Sequence, residues 1–273
     1  MTILQTDQLG RRFGDFWAVD DLNIGVETGE VFGLLGPNGA GKSTTIKMLT
    51  TLLSPSTGTA TIAGHDIKRQ PAMVRRVVGY VPQILSADGN MTGYENLLIF
   101  AKLYDVPRRE LKTRLTEALE FMGLGEAAHK IVRNYSGGMV RRLEIAQSML
   151  HRPRLLFLDE PTVGLDPVAR KAVWGHIREL KTQFSMTILL TTHYMEEADV
   201  LCNRIAIMHR GRVVACDTPA ALKSSVEGKQ AKSGETVNLD DVFAYYTGDQ
   251  FVENGSSTYR DIARTRRTAR RLG

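Results

Sequence analysis

The residues with the clearest chemistry lie at 36–44, where the sequence is GPNGAGKST. Glycines let backbone N–H groups converge on an anion without hindrance from Cβ atoms. Lys42 can reach the outer phosphates of a nucleotide, and the Ser43 hydroxyl can ligate Mg²⁺. An apolar run at 31–35 predicts a buried strand, and residues 45–49 are compatible with a helix. Strand, glycine-rich turn and helix together predict a phosphate-binding loop, since an ordinary tight turn needs neither the lysine nor the hydroxyl.

A second group of reactive side chains ends the apolar run at 155–158, where Asp159 and Glu160 follow directly. Because adjacent residues on a strand point to opposite faces, we expect the two carboxylates to do different jobs. One would lie near Mg²⁺ and the other near an attacking water. The apolar run before them argues against a solvated acid pair at the surface.

Two more polar residues follow candidate strands. Gln83 comes after the strand predicted at 77–81, and His193 comes after the strand predicted at 187–192. In α/β folds the carboxyl ends of the strands border the ligand crevice, so both side chains are candidates for the same site. A loop glutamine without a role and a structural histidine remain open as alternatives.

Two further motifs have both a structural and a functional interpretation. The Ser-Gly-Gly sequence at 136–138 precedes apolar residues at helical spacing over 139–150. It could be a simple helix cap, or it could form a second anion site. Phe13 could pack in the core or present its ring to an adenine. Its position favours the core, and Phe16 and Trp17 are rival aromatic residues nearby.

The elements that must position these residues alternate between strands and helices. Residues 2–15 and 19–26 predict an antiparallel β layer ahead of the phosphate loop. Residues from about 91 to 150 have helical spacing instead, with a capping-box pattern at 92–95. Pro107 stands where a first-turn proline belongs. The chain is therefore predicted to be an α/β protein with a helical insert between strands.

Composition limits the class of protein further. The chain has 273 residues, 42% of them hydrophobic, which is enough for one large domain or two small ones. No apolar stretch approaches the roughly 18 residues that span a bilayer, and the N-terminus lacks a signal-peptide pattern. We therefore expect a cytoplasmic protein.

The charge is concentrated at one end. The net charge of +5 equals that of residues 260–273, which hold six arginines and one aspartate, so the rest of the chain is neutral. A nucleic-acid footprint across the whole domain is therefore unsupported. The basic tail could be a solvated end or could contact anionic lipid headgroups.

Together these motifs resemble the nucleotide-binding subunit of an ABC transporter, over roughly residues 1–228. The phosphate loop and the acid-terminated strand match the Walker A and Walker B motifs. The sequence at 136–138 looks like the ABC signature, which separates this family from other P-loop NTPases. Gln83 falls at the Q-loop and His193 at the switch histidine, while 164–166 looks like the D-loop.

Two longer sequences, TTHYMEEA at 191–198 and LDDVF at 239–243, are most similar to the daunorubicin-resistance type of exporter ATPase. The resemblance implies an α/β fold with a RecA-like core, an antiparallel β subdomain and a helical subdomain at about 88–152. It places the nucleotide-binding domain at 1–228. Residues 229–273 would form a C-terminal extension with a short amphipathic helix and an arginine-rich tail.

The resemblance also implies a ligand set. ATP would be bound by Phe13, which stacks on adenine in place of the core assignment, and by Asn38, Gly39, Gly41, Lys42, Ser43, Thr44, Gln83, Ser136 and Gly138. Mg²⁺ would be held by Ser43, Gln83 and Asp159. Glu160 would polarise the attacking water, with His193 and Lys42 as the other catalytic residues.

The implied partners follow from the same family. Two copies would form a head-to-tail homodimer in the ATP-bound state, with each ATP between the phosphate loop of one copy and the signature of the other. An ABC-2-type transmembrane permease on another polypeptide would hold the ATPase against the cytoplasmic face of the membrane. The resemblance implies export of a drug, antibiotic, lipid or polysaccharide-like cargo, and no nucleic-acid partner.

Two residues depart from the family pattern. Tyr135 stands where the family usually has leucine, and Met139 stands where it usually has glutamine, so a hydrogen bond to nucleotide across the dimer would be lost. The alternatives to a transporter are a soluble ABC ATPase acting on ribosomes or DNA and a nucleotide-gated module that does not hydrolyse ATP. Intact Glu160 and His193 argue against the second alternative.

Overall fold

Two sheets organise the chain, for which a computed structural model describes residues 1–227 and 237–248. The strands, numbered along the sequence, are β1 (Thr2–Phe13), β2 (Phe16–Leu22), β3 (Gly25–Glu27), β4 (Val31–Leu35), β5 (Thr57–Ile62), β6 (His65–Asp66), β7 (Val78–Val81), β8 (Leu155–Asp159), β9 (Thr187–Thr192), β10 (Arg204–His209) and β11 (Arg212–Asp217). The central sheet has the order β11-β10-β4-β9-β8-β7. Its strands are parallel except at the β10–β11 hairpin.

The second sheet is antiparallel, with the order β2-β1-β5-β6 and with β3 paired to β1. It corresponds to the β layer predicted near the N-terminus. The predicted strand at 19–26 is wrong in detail, because β2 already begins at Phe16 and the chain breaks pairing before β3. Thr6 donates its hydroxyl to the Leu22 carbonyl at 2.8 Å and accepts from the Ile24 N–H at 2.7 Å. These two bonds hold that break in place.

The helices, numbered in the same way, are α1 (Lys42–Leu49), α2 (Pro71–Val77), α3 (Gly93–Leu103), α4 (Arg108–Phe121), α5 (Gly137–Met149), α6 (Pro167–Phe184), α7 (Met195–Leu201), α8 (Pro219–Val226) and α9 (Leu239–Thr247). Helices α3, α4 and α5 form the insert between β7 and β8. Helix α2 has no counterpart in the sequence prediction. Within the described ranges, no helix is both long and apolar enough to cross a bilayer.

The central sheet separates two apolar cores. Alternate residues of β8 face opposite sides: Leu156 and Leu158 join the core under the helical insert, whereas Leu155 and Phe157 join the core under the antiparallel sheet. Every residue of β4, β8 and β9 is buried. Coverage of both faces explains why β4 and β8 have nearly uninterrupted apolar sequences and why the centre of β9 is apolar.

Side-chain caps set where several helices begin. Thr92 and Glu95 form the predicted capping box at α3. Asp166 accepts from two backbone N–H groups at the start of α6. The first-turn assignment of Pro107 is wrong by one position, because this proline is the N-cap residue of α4. In the amphipathic stretch near the C-terminus, α9 buries Leu239, Val242 and Phe243.

The remaining C-terminal predictions lie outside the described residues. These are the arginine-rich tail and the stretch between α8 and α9. The boundary at 228 stays a prediction. Helix α9 packs into the same apolar core as β4 and β8.

The register of the sheet brings the candidate residues to one edge. Leu35 pairs with Thr192, Asp159 pairs with Thr191, and Val81 pairs with Leu158. The residues that follow β4, β7, β8 and β9 therefore emerge side by side. These residues are the phosphate loop, Gln83, Glu160 and His193.

Candidate active site

The phosphate loop joins β4 to α1 and leaves backbone donors free. Gly39 and Gly41 have φ angles of 83° and 107°, in the left-handed region that favours glycine. A Cβ on Gly41 would also collide with the Ala18 carbonyl oxygen and lie 2.7 Å from Cε of Met208. Helix α1 has no side-chain cap, and the N–H groups at 42–44 have no acceptor in the described part of the chain. Free N–H groups at a helix N-terminus suit a phosphate anion.

Lys42 is buried at the centre of the site, with a side chain that is 4% exposed. Its Nζ donates to the carbonyls of Gly36 at 2.8 Å and Pro37 at 3.1 Å. It also lies 3.0 Å from Oε1 of Glu160. A buried ammonium needs such partners, because desolvation of an unpaired charge is costly. In this structure the positive charge of Lys42 is therefore balanced by the Glu160 carboxylate and by two backbone carbonyls.

Glu160 lies just beyond β8 in a left-handed backbone conformation, with φ of 49°. Its N–H donates to the Thr191 hydroxyl at 3.0 Å. Its carboxylate reaches Lys42 through Oε1, and its Oε2 accepts from Gln83 Nε2 at 3.2 Å and lies 3.2 Å from His193 Nδ1. The predicted alternation of faces is wrong for this pair, because the strand ends at Asp159 and the chain turns at Glu160.

Asp159 is directed towards Ser43 and not towards the Glu160 partners. Its Oδ1 accepts from the Ser43 hydroxyl at 3.0 Å and from the Thr191 hydroxyl at 2.7 Å. The Ser43 hydroxyl, a carboxylate and the amide oxygen of Gln83 are the oxygen donors that Mg²⁺ prefers. The residues present therefore fit the predicted ion, and the Ser43–Asp159 contact brings two of the three together.

The two adjacent acids have opposite electrostatic shifts. Burial raises the pKa of Asp159 above its ordinary value, despite hydrogen bonds from Thr191 and Ser43. Burial also acts to raise the pKa of Glu160, but the hydrogen bond with His193 and the charge of Lys42 outweigh it, and that pKa is lowered. The two carboxylates therefore lie in different electrostatic environments, and the different jobs expected of them stay a prediction.

The signature residues are not part of this hydrogen-bonded cluster in the described ranges. Ser136 is exposed and caps α5, accepting from the Met139 N–H at 3.3 Å. No hydrogen bond within the described ranges joins Ser136 or Gly138 to Lys42 or Glu160. A Cβ on Gly138 would lie 2.8 Å from the Cβ of Ala169, so this glycine allows α5 to approach α6 closely. The cap is observed, and an anion site at 136–138 remains a prediction.

Of the two departures from the family pattern, Tyr135 is the one the structure explains. Its side chain is 9% exposed, and its hydroxyl donates to the Ala127 carbonyl at 2.6 Å. The tyrosine thus ties the start of the signature to the turn after α4. Met139 is half-buried against the core of the helical insert.

Phe13 is not a core residue. Its side chain is 47% exposed, so the assignment favoured by its position is wrong. It pairs with Phe16 across the β1–β2 hairpin, and the guanidinium of Arg11 lies 4.7 Å from its ring centroid. An exposed ring is free to stack on a ligand.

Two groups behind the site were missed by the sequence analysis. Thr191 contacts both acids, through Asp159 Oδ1 and the Glu160 N–H. Glu197 is fully buried and accepts from the Thr162 hydroxyl at 2.7 Å and from Trp174 Nε1 at 2.8 Å. For Thr191, the consecutive threonines at the end of β9 are a signal in the sequence. For Glu197 there is no local signal, because its partners Thr162 and Trp174 are remote in sequence.

The phosphate loop lies at the edge of the largely parallel sheet and contains the buried Lys42. Ser43 and Asp159 offer oxygen atoms of the kind that ligate magnesium, and the Glu160 carboxylate lies beside His193. These features define a P-loop nucleoside triphosphatase. The family profile described as ABC transporter matches residues 19–163. The chain belongs to this family and is an ATP-binding and ATP-hydrolysing subunit that works with a transmembrane permease.

The chain is similar to several curated transporter ATPases. It is 47% identical over 223 residues to the daunorubicin/doxorubicin resistance ATP-binding protein DrrA of Streptomyces peucetius, covering 82% of this chain and 67% of that protein. It is 39% identical over 226 residues to the linearmycin resistance ATP-binding protein LnrL of Bacillus subtilis, covering 83% and 72%. A Nod factor export ATP-binding protein of Cupriavidus metallidurans is 42% identical over 226 residues, covering 83% and 74%.

Solved structures show the same fold. A structure described as the ATP-binding subunit of an ABC transporter superposes with a TM-score of 0.77 at 30% identity, covering 90% of this chain and all of that one. The cbiO1 subunit of a Clostridium perfringens ABC transporter complex superposes with a TM-score of 0.74 at 28% identity, covering 83% and 92%. The RecA-like core with antiparallel and helical subdomains is therefore confirmed.

Proposed function

We propose that this subunit energises export of a drug, antibiotic, lipid or polysaccharide-like cargo through an ABC-2-type permease. The support comes from relatives whose names refer to daunorubicin resistance, linearmycin resistance and Nod factor export. The single observation that carries the catalytic part is the convergence of Lys42, Gln83 and His193 on the Glu160 carboxylate.

The phosphate loop and the oxygen ligands have separate tasks in this proposal. The phosphates are held by Asn38, Gly39, Gly41, Lys42, Ser43 and Thr44, and the adenine stacks on Phe13. Ser43, Gln83 and Asp159 would hold Mg²⁺, which would supply positive charge next to the phosphate oxygens. The free N–H groups at 42–44 and the Ser43–Asp159 contact of 3.0 Å support these assignments.

Glu160 is the residue that orients and polarises the attacking water. Its lowered pKa keeps it ionised at neutral pH, and a carboxylate is the form that accepts a proton. When a triphosphate binds, Lys42 would exchange its ion pair with Glu160 for a contact with phosphate, because both interactions use the same Nζ hydrogen-bond donors. His193 lies 3.2 Å from Glu160 and holds the geometry of the site.

A second copy of the chain completes each site. Ser136 is exposed and is not hydrogen-bonded to the Lys42 cluster in the described part of the chain, so we infer that one chain presents two separate half-sites. A head-to-tail pair with two-fold symmetry would bring Ser136 and Gly138 of each copy to the phosphate loop of the other.

The surface that meets the permease is proposed to be the loop after β7 together with α3. Ile84 is 81% exposed and Leu103 is 72% exposed, and Leu85 and Ile99 are also exposed. Exposed large apolar side chains on neighbouring elements are a common sign of a protein–protein interface. Contact there would place the subunit peripherally on the cytoplasmic face of the membrane.

The Glu160→Gln variant of the full chain tests the catalytic proposal. The amide keeps the shape of the side chain but cannot take a proton, so we expect hydrolysis to fall by about 10²–10⁴-fold while ATP binding is retained. With ATP and Mg²⁺ the variant should elute as a dimer. Glu120→Gln, an exposed change on α4, is the matched control. Hydrolysis at the wild-type rate in Glu160→Gln would contradict the assignment.

A further inference from the structure

A buried arginine of α5, the signature helix that begins at Gly137, binds the loop that carries Gln83. Arg141 lies on α5, and its side chain is 2% exposed. Its Nη1 donates to the Pro82 carbonyl at 2.6 Å, and its Nη2 donates to the Gln83 carbonyl at 2.8 Å. A planar guanidinium can hold two adjacent carbonyls in this way, whereas a lysine ammonium cannot reproduce the fork.

One turn further along α5, the Glu144 carboxylate accepts hydrogen bonds from N–H groups of the same loop. Its Oε1 accepts from the Ser86 N–H, from the Ser86 hydroxyl at 3.1 Å and from the Ala87 N–H at 3.4 Å. Its Oε2 lies 3.1 Å from Nη1 of Arg141. The two side chains therefore form one unit, which bonds four backbone groups of residues 82–87.

The far end of the loop is attached to the helical insert as well. Asn96 on α3 accepts from the Asp88 N–H at 2.9 Å and donates to the Asp88 carbonyl at 3.0 Å. Gln147 on α5 donates to the Asn96 side chain at 3.5 Å. Beyond Val81, the loop is thus bonded to α3 and α5 and not only to the sheet from which it emerges.

We infer that Arg141 and Glu144 are positioning residues that make the loop at 82–87 move as one body with the signature helix. This inference rests on the proposed roles of Gln83 and Ser136 at the nucleotide. The clamp, defined as Arg141 and Glu144, joins three surfaces: Gln83 beside Glu160, the exposed apolar residues Ile84 and Leu85, and the signature at the start of α5.

Stability is a poor explanation for such a pair. Taking two charges out of water costs free energy that a well-packed apolar pair of the same volume would not cost. The buried pair instead holds carbonyls and N–H groups of a surface loop in place, which an apolar pair could not do. A change at the permease contact or at Gln83 is then transmitted to Ser136 through hydrogen bonds to backbone groups.

Two measurements on the full chain test the clamp. In Glu144→Ala the Ser86 and Ala87 amides lose a charged acceptor, so their hydrogen exchange should accelerate about tenfold or more. The kcat for ATP hydrolysis should fall about tenfold while KM for ATP stays within about twofold, because the phosphate loop is untouched. Glu144→Gln keeps an acceptor for the loop and should recover most of the lost protection.

Arg141→Lys provides a second variant if Glu144→Ala does not fold. It should lower kcat in the same way, since lysine cannot hold both carbonyls. Glu110→Ala is the matched control: Glu110 pairs with Arg114 at 2.5 Å on α4, in the same helical insert and away from the loop. This control should change neither hydrogen exchange at 86–87 nor kcat.

The inference is overturned if Glu144→Ala leaves exchange and kcat unchanged. It is equally overturned if kcat and KM change together with a general loss of protection, since that pattern marks a purely structural role. Failure of the proposed function looks different: Glu160→Gln would hydrolyse ATP normally, while exchange at 86–87 would still respond to Glu144→Ala.

Discussion

At the scale of single residues, the site depends on two neighbouring acids whose pKa values are shifted in opposite directions. Asp159 is buried with hydroxyl donors, and its pKa is raised, whereas Glu160 is matched with a lysine and a histidine, and its pKa is lowered. The ionised form of Asp159 is therefore held at a cost to the fold. A bound cation would offset that cost, which suits a metal ligand.

The Asp159→Asn substitution should stabilise the fold while removing activity. An acid with a raised folded-state pKa favours folding when protonated, and this contribution is lost as pH rises through the folded-state pKa. Asparagine is neutral and can still accept from Ser43 and Thr191, so the free energy of unfolding should increase at neutral pH. The ATPase rate should drop at least about 100-fold, because the proposed magnesium ligand loses its negative charge.

Urea unfolding as a function of pH checks this expectation. The stability difference between wild type and Asp159→Asn should shrink as pH falls towards 3.8, the ordinary aspartate value. Asp15→Asn, a change at a fully exposed aspartate, should show no such trend. A less stable Asp159→Asn protein at neutral pH would show that its charge favours folding.

At the scale of elements, local patterns predicted the strands and loops that carry the site, and contacts between remote segments escaped prediction. The phosphate loop, β8 and the capping box at 92–95 each follow from a few consecutive residues. The Arg141 contact with Pro82 spans 59 residues of sequence, so no local pattern reveals it. Strand alternation does not predict the turn at Glu160, because β8 ends one residue earlier, at Asp159.

Helix α9 offers a prediction about how the C-terminal part contributes to stability. Phe243 is 2% exposed and packs into the core shared with the central sheet. Phe243→Ala should lower the free energy of unfolding by about 3–5 kcal/mol, the usual cost of removing a buried aromatic ring. The KM for ATP should stay unchanged, since the phosphate loop belongs to other elements.

Denaturant unfolding and steady-state kinetics give the two readouts for α9. Val214→Ala on β11 is the control, because Val214 is 37% exposed and should cost no more than about 0.5 kcal/mol. If Phe243→Ala were as stable as wild type, α9 would contribute nothing to the fold.

At the scale of the whole molecule, the proposed dimer makes a prediction that two inactive variants can test. Lys42→Ala removes the phosphate half-site, and Ser136→Arg blocks the signature half-site. In a mixed pair the two defects fall in the same composite site, and the other site is whole. An equal mixture should therefore hold intact sites at about a quarter of the wild-type number, and its ATPase rate should rise accordingly.

The control for this mixing experiment is a single variant carrying both changes, mixed with itself, which has no route to an intact site. Each separate variant should also remain inactive. No recovery in the mixture of folded single variants would mean that Ser136 and Lys42 do not meet across two copies.

The backbone of Glu160 and its carboxylate make opposite contributions to stability. A non-glycine residue with φ of 49° carries conformational strain on the order of 1 kcal/mol, which glycine would avoid. Glycine would also leave the buried Lys42 ammonium without its carboxylate partner, and breaking a buried pair in this way costs about 3–5 kcal/mol. A library screened only for survival of heating should therefore reject glycine at position 160. Screening the same library for ATP hydrolysis should also retain glutamate, so heat and turnover would favour the same codon.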